Sequence, residues 1–363
     1  MPTLFDTLAL GALTIPNRVL MAPMTRGRAT REHVPTPMMA EYYAQRASAG
    51  LIISEAIGLS RQGLGWPYAP GLWSGEQVAG WKQVTQAVHD KGGRIVAQLW
   101  HMGRMTHSAL TGEQPVSSSA TAMAGDAYTY DGKEPYEVAR PLTLEEIPDV
   151  IADYVLASHN AIAAGFDGVQ IHAGNGQLID QFLRNNVNFR ADEYGGSIDN
   201  RIRLLVEVTQ AIADAIGADW TSVRLSPNGE TYGVDDSDPT PLFEAVAIAL
   251  NPIGISFLEL KEASPMGTFV STNVPRQSPM MRPHFNGPLI LNSDYDLARA
   301  QADLDSGLAD AISFGRPFLA NPDLVQRLRD RAPLNPTREE TLYTQGAEGY
   351  VDYPTLNDET AAA

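Results

Sequence analysis

The chain has 363 residues, 44% of them hydrophobic, more than one small core needs and fewer than three ordinary domains use. Its 26 Lys and Arg face 43 Asp and Glu, a formal charge of −17 that repels nucleic acid and anionic membranes, so a phosphate-bearing ligand must meet locally placed cations. The absence of cysteine excludes disulfides, Cys-ligated zinc, iron–sulfur clusters and thiol nucleophiles, and the seven histidines show no His-Glu-x-x-His or other close metal spacing. The start, Met1 to Asp6, lacks the basic, apolar pattern of a secretory signal, and no apolar run nears bilayer length. The expectation is a cytoplasmic protein with no membrane, nucleic-acid or metal partner.

Eight short apolar runs alternate with helical patterns, and their near-continuous hydrophobicity suits parallel strands covered on both faces. The first, 18–22, leads into Pro23-Met24-Thr25, and the second, 51–54, into Glu55 and Ala56. Ser74 and Gln77 then form a capping box, followed by an apolar face of Val78, Trp81, Val84 and Val88 that ends at Gly92-Gly93. The third run, 94–98, ends in Gln98-Leu99-Trp100-His101. Residues 103–141 after it are rich in Ser, Thr, Gly and Ala and turn at Tyr130–Gly132, which reads as an excursion over the barrel mouth. Thr143, Glu146 and Pro148 start a helix that runs to about Ala164.

The fourth run, 168–172, presents His172 and Asn175, and Ser197 opens a helix with a stripe of Ile202, Leu205, Val208 and Ile212. Run five, 222–226, carries Arg224. Run six, 255–260, leads to Lys261, run seven, 288–292, ends on Asn292, and run eight, 310–314, on Gly315-Arg316. Eight such units predict an α/β fold, a closed (β/α)₈ TIM barrel of about 250 residues with about 110 left for insertions. The chain, 1–363, is read as one barrel with 103–141 as a capping segment after strand three. No Gly-x-Gly-x-x-Gly or Walker A sequence supports the competing doubly wound sheet.

Barrel enzymes place their chemistry at the C-terminal strand ends and often bind phosphate after strands seven and eight, where Gly315 permits close approach and Arg316 offers a fork of donors. His172 and Asn175 could present two neutral donors to one carbonyl or nitro oxygen. Arg224, within a strand, needs an anionic or strongly accepting partner. Lys261 leaves open an aldolase-like Schiff base.

Several longer motifs carry a resemblance across essentially the whole chain. They are Asp180-Gln181-Phe182-Leu183, Asn188-x-Arg190, Asp192-Glu193-Tyr194-Gly195-Gly196-Ser197-Ile198-x-Asn200-Arg201, Asn17-Arg18 before Ala22-Pro23-Met24-Thr25, Ser313-Phe314-Gly315-Arg316-Pro317, and Gly349-Tyr350-x-Asp352-Tyr353-Pro354. With them the sequence closely resembles the old yellow enzyme family of FMN-dependent ene-reductases, in particular its bacterial N-ethylmaleimide and 2-cyclohexenone reductase branch.

The resemblance implies noncovalent FMN at the barrel mouth. Pro23 and Thr25 would lie near flavin O4 and N5, the Ala56 backbone beside the ring, Gln98 at the pyrimidine edge and Arg224 at N1 and O2. Asn292, Gly315 and Arg316 would hold the phosphate. It further implies NADPH or NADH as reductant in a ping-pong cycle, with enones, enals, maleimides or nitroalkenes as acceptors. His172 and Asn175 would anchor the acceptor oxygen, and Trp66, Trp100 and Tyr350 would line the pocket. One position departs from the family, which has a tyrosine proton donor where this chain has Gln177. A primary amide is far too weak an acid to replace a phenol, so solvent is expected to protonate the α-carbon. Loss of alkene reduction, leaving only NADPH oxidation, is the other outcome this departure allows. The oligomeric expectation is a monomer or homodimer.

Overall fold

The structure, a computed structural model, describes residues 2–358. Eight parallel strands close a barrel in chain order: β1 (Val19–Met21), β2 (Ile52–Gly58), β3 (Ile95–Trp100), β4 (Val169–His172), β5 (Thr221–Leu225), β6 (Phe257–Lys261), β7 (Leu289–Asn292) and β8 (Ala311–Phe314). Each coincides with one of the eight apolar runs. The largest difference is in β2, which continues four residues past the predicted end at Ser54 through a bulge between Ile53 and Ala56. There the Ser54 hydroxyl accepts the Gln98 N–H at 3.1 Å, so a polar residue that looks like a strand end in sequence keeps the ladder bonded.

The outer layer contains α1 (Pro37–Gln45), α2 (Gly75–His89), α3 (Ile147–Ala163), α4 (Ile198–Ile216), α5 (Pro239–Leu250), α6 (Leu297–Asp305) and α7 (Leu324–Asp330). The Ser74–Gln77 capping box forms at the start of α2 in both directions, Pro148 occupies the first turn of α3, and Ser197 caps α4 by accepting the Asn200 N–H. The stripe Ile202, Leu205, Val208 and Ile212 is buried, as its spacing predicts.

Inside the barrel, alternate residues of each strand point inward and form layers. Leu20, Ile53, Val96, Phe257, Ile290 and Ala311 make an apolar floor, sealed by Leu10 and Ile15 of an N-terminal hairpin (Leu8–Leu10 with Leu13–Ile15). Above that floor the inward residues turn polar: Gln98, Gln170 and Glu259, then His172, Arg224, Lys261 and Asn292. This change of polarity along the barrel axis, apolar at the N-terminal end and charged at the other, decides which end can do chemistry.

Within 103–141, the hairpin of Asp126–Thr129 and Gly132–Pro135 sends Tyr128 onto Trp66, with ring centroids 4.6 Å apart. Its Tyr130 meets the Tyr68 ring edge-on and bonds His33 at 3.1 Å. No helix among the described residues is long and apolar enough to cross a membrane.

Candidate active site

The buried charges at the barrel mouth are coupled into one network. Arg224 forms an ion pair with Glu259 of the next strand and donates to Asn292 Oδ1 at 2.9 Å. Glu259 also accepts from Ser313 Oγ at 2.5 Å and from Gln170 Nε2 at 2.8 Å, and Gln170 accepts from Gln98 Nε2 at 2.8 Å. Glu259 is the anionic partner that an arginine within a strand requires, and sequence reasoning missed it. The alternation Phe257, Glu259, Lys261 on β6 was the available signal, since it places a carboxylate on the inner face beside Arg224. Arg224 Nε has no hydrogen-bond partner among the described residues.

Asn292 departs from the sequence expectation. Its Oδ1 accepts from Arg224 and its Nδ2 donates to the Ser313 carbonyl at 2.8 Å, so the side chain is occupied by protein groups and does not reach for phosphate. It steadies Arg224 instead. Gly315 is different: a Cβ added there would meet only Met24 Sδ at 3.5 Å, so the protein leaves open space above this backbone. Arg316, exposed nearby, donates to Thr268 in the loop after β6, and that threonine is tied to Asp294 after β7.

After β4 the chain turns at Asn175, whose φ of 53° lies in the left-handed region that Asn tolerates. The Ser226 hydroxyl donates to Asn175 Oδ1 at 2.8 Å, which leaves the Asn175 NH₂ free to donate. His172 is buried, and burial, followed by the neighbouring Arg224 and Lys261, holds its pKa well below the usual histidine value. Its Nδ1 faces the Gly174 N–H at 3.4 Å, so the neutral ring carries its proton on Nε2. Two neutral donors, one imidazole and one amide, thus flank the same turn. Gln177 follows, buried, with an Oε1 that has no hydrogen-bond partner among the described residues.

On the opposite side of the mouth, Pro23 and Thr25 are partly exposed, and the loop that carries them is held by Glu55. Its Oε2 accepts the N–H groups of Arg26 and Gly27 at 3.1 and 3.2 Å, and burial raises its pKa. Ala56 continues β2 beyond the bulge. Trp100 is buried with Leu64, Met102 and Met105, its indole N–H unpartnered, and Trp66 packs against this cluster.

Tyr350 does not line an open pocket. Its ring is fully buried, stacked on Tyr42 at 4.0 Å, with Arg26 and Arg28 over it. Besides Tyr128, the aromatic that packs on Trp66 is Tyr343, 5.0 Å between centroids and 55% exposed. Sequence reasoning followed the long motif around Tyr350, while Tyr343 sits in a stretch with no periodic pattern to single it out. Two surface cavities of about 510 and 460 Å³ lie elsewhere on the molecule, and none of the sequence-predicted site residues lines them.

A closed (β/α)₈ barrel with its polar, cation-bearing side chains gathered at the C-terminal mouth is the architecture of a barrel enzyme. The model of the NADH:flavin oxidoreductase / NADH oxidase family matches residues 3–335. The chain is 42% identical to a probable flavin mononucleotide-dependent alkene reductase of Leishmania infantum, over 96% of each chain. It is 41% identical to chanoclavine-I aldehyde reductase of Penicillium roqueforti, over 97% of this chain and 96% of that one. Among solved structures, an old yellow enzyme homologue from Zymomonas mobilis superposes with a TM-score of 0.97 at 58% identity, covering 98% of this chain and 100% of that one. Morphinone reductase in complex with tetrahydroNAD superposes with a TM-score of 0.93 at 44% identity, covering 99% of both. The chain therefore belongs to the NADH:flavin oxidoreductase family in its old yellow enzyme form. It is an FMN-dependent oxidoreductase that takes electrons from NAD(P)H. Family membership also removes the ground for an aldolase-like role of Lys261.

Proposed function

We propose that this enzyme reduces activated carbon–carbon double bonds, those conjugated to a ketone, aldehyde, imide or nitro group, at the mouth of the barrel. The observation that carries this reading is the pair of neutral donors, His172 and Asn175, with the Asn175 amide oriented by Ser226. FMN supplies the hydride chemistry when bound. The side chains do the rest.

His172 Nε2–H and the Asn175 NH₂ bind the acceptor's oxygen and draw electron density from the conjugated β-carbon. A well-aimed donor of this kind contributes about 3 kcal/mol to a developing oxyanion. A neutral histidine suits the task because it donates a hydrogen bond without giving up its proton. Arg224 and Arg316 supply local positive charge in a protein of net charge −17, and would hold the cofactor there, Arg224 its ring and Arg316 its phosphate. Thr25, on the loop braced by Glu55, would be among the residues that hold the flavin ring. The open space above Gly315 and the unpartnered Arg224 Nε fit the cofactor at this place. Trp66, Trp100 and Tyr343 bound the acceptor's space, and the hairpin of 126–135 covers one side of it through Tyr128.

Gln177 stands where the family pattern has its proton-donating tyrosine. An amide cannot serve as that acid at neutral pH, but its free Oε1 can hold a water, so the α-carbon proton comes from solvent. The deciding experiment is anaerobic. The protein is reduced with one equivalent of NADPH and mixed with 2-cyclohexenone or N-ethylmaleimide, and reoxidation is followed by absorbance with the saturated product identified. Reoxidation with product formation supports the proposal. A reduced protein that reacts with oxygen or quinones but not with either alkene overturns it.

A further inference from the structure

Lys261 is an inward-facing cation of the mouth that the reaction as described does not use. It ends β6, two residues after Glu259 on the same inner face, with Asn292 of β7 as its partner in register. Only 5% of the residue is exposed, and Nζ has no hydrogen-bond or ion-pair partner among the described residues. Its Nζ lies over the ring of Phe269, 4.7 Å from the centroid. A buried ammonium in this state is costly unless something compensates it.

Among the described residues that compensation is only partial. Glu259, the nearest carboxylate along the strand, is committed to Arg224, Ser313 and Gln170. The other charges that act on Lys261 are Arg224 from β5, which repels it, and two attractive carboxylates. These are Asp180, which is paired with Arg184, and Asp294, which is bonded to Thr268. His172 of β4 is also close but neutral. Burial and Arg224 together lower the Lys261 pKa to about 8. Around the barrel, β6 lies between β5, with Arg224, and the ends of β7 and β8, with Gly315 and Arg316. A ligand that spans those two positions passes Lys261.

We infer that Lys261 is a cofactor-binding residue, its ammonium holding an anionic acceptor of FMN between Arg224 and the Gly315-Arg316 turn. The inference rests on the placement of FMN at the barrel mouth. The acceptor has two possible sources, the phosphate group or the anionic ring of the reduced flavin, and both are served by the same buried cation.

The test uses the apoproteins of wild type, Lys261→Met, Lys261→Arg and Arg316→Ala. Dissociation constants for FMN and riboflavin are measured by flavin fluorescence, and midpoint potentials of the bound FMN by dye equilibration. If the phosphate is the acceptor, Lys261→Met weakens FMN at least tenfold and leaves riboflavin unchanged. If the reduced ring is the acceptor, oxidised FMN binds as in wild type but the potential falls by about 30 mV, the equivalent of a tenfold loss of preference for the reduced form. Lys261→Arg restores most of either effect. Wild-type affinities and potential in Lys261→Met overturn the inference, as does an equal loss for both flavins that arginine does not rescue. The placement of the cofactor is read separately: it fails if Arg316→Ala also leaves the FMN-to-riboflavin preference unchanged, and it stands if that variant lowers the preference while Lys261→Met does not.

Discussion

Ser226 holds Asn175 at two points. Its hydroxyl donates to the Asn175 side-chain oxygen at 2.8 Å and accepts the Asn175 backbone N–H at 3.1 Å. One serine on β5's trailing end thereby fixes both a left-handed backbone and the direction of an amide on the neighbouring unit. Ser226→Ala is expected to lower kcat/KM for cyclohexenone roughly tenfold, the scale of one misdirected donor hydrogen bond. NADPH-driven reduction of the flavin, where the oxygen anchor is a carboxamide, should change in parallel. A change confined to thermal stability, with both half-reactions intact, would refute the positioning role.

The Arg224–Glu259 pair makes a second prediction. Glu259 is fully buried and accepts from Arg224, Ser313 and Gln170, so Glu259→Gln replaces an acceptor with an N–H group among donors and leaves Arg224 buried without its counter-charge. Breaking one side of a buried ion pair costs about 3 kcal/mol or more. Urea unfolding followed by circular dichroism should show a loss of that size, and a change below about 1 kcal/mol would mean that the network is far less coupled than its geometry implies.

The position of Gln177 gives a third. Restoring a phenolic acid with Gln177→Tyr should raise the rate of alkene reduction for enones and shift product handedness where solvent now protonates either face. Products formed in deuterium oxide, analysed by chiral chromatography and mass spectrometry, provide the measurement. Identical rates and stereochemistry across several enones would show that residue 177 takes no part in protonation.

The buried histidines set a pH dependence. His172 titrates well below the usual histidine value, and burial takes His101 down to about 3. Well above pH 7, both folded and unfolded chains carry these rings neutral and their contribution is constant. As pH falls below about 6.5 the unfolded chain binds protons that the folded chain refuses, so stability decreases, by up to about 1.4 kcal/mol per pH unit for each ring. Urea unfolding at pH 7.5, 6.5 and 5.5 should show this decline before the carboxylates titrate. In His101→Gln the slope should be shallower by one proton, and an unchanged slope would exclude His101 as a source.

Much of this molecule was legible in its sequence, and for a physical reason. Strands covered on both faces must be apolar almost throughout, and helices that pack on them must carry a stripe at helical spacing, so eight runs and their capped helices mark a closed barrel by local signals alone. The strand ends followed from the same pattern, which is how His172, Asn175, Arg224 and Gly315 could be singled out, and the long motifs placed the chain in its flavoenzyme family. Which partners those residues choose was decided only by barrel closure. Asn292 turned to Arg224 because β5, β6 and β7 bring them within 2.9 Å, Tyr350 went into the core against Tyr42, and Tyr343 joined Tyr128 on Trp66. Among the described residues Lys261 was left without a hydrogen-bond or ion-pair partner because Glu259, its inner-face neighbour, is consumed by Arg224. Such pairings join residues tens of positions apart in the chain, and local spacing does not encode them; they arise when inward-facing side chains compete for the same few buried acceptors.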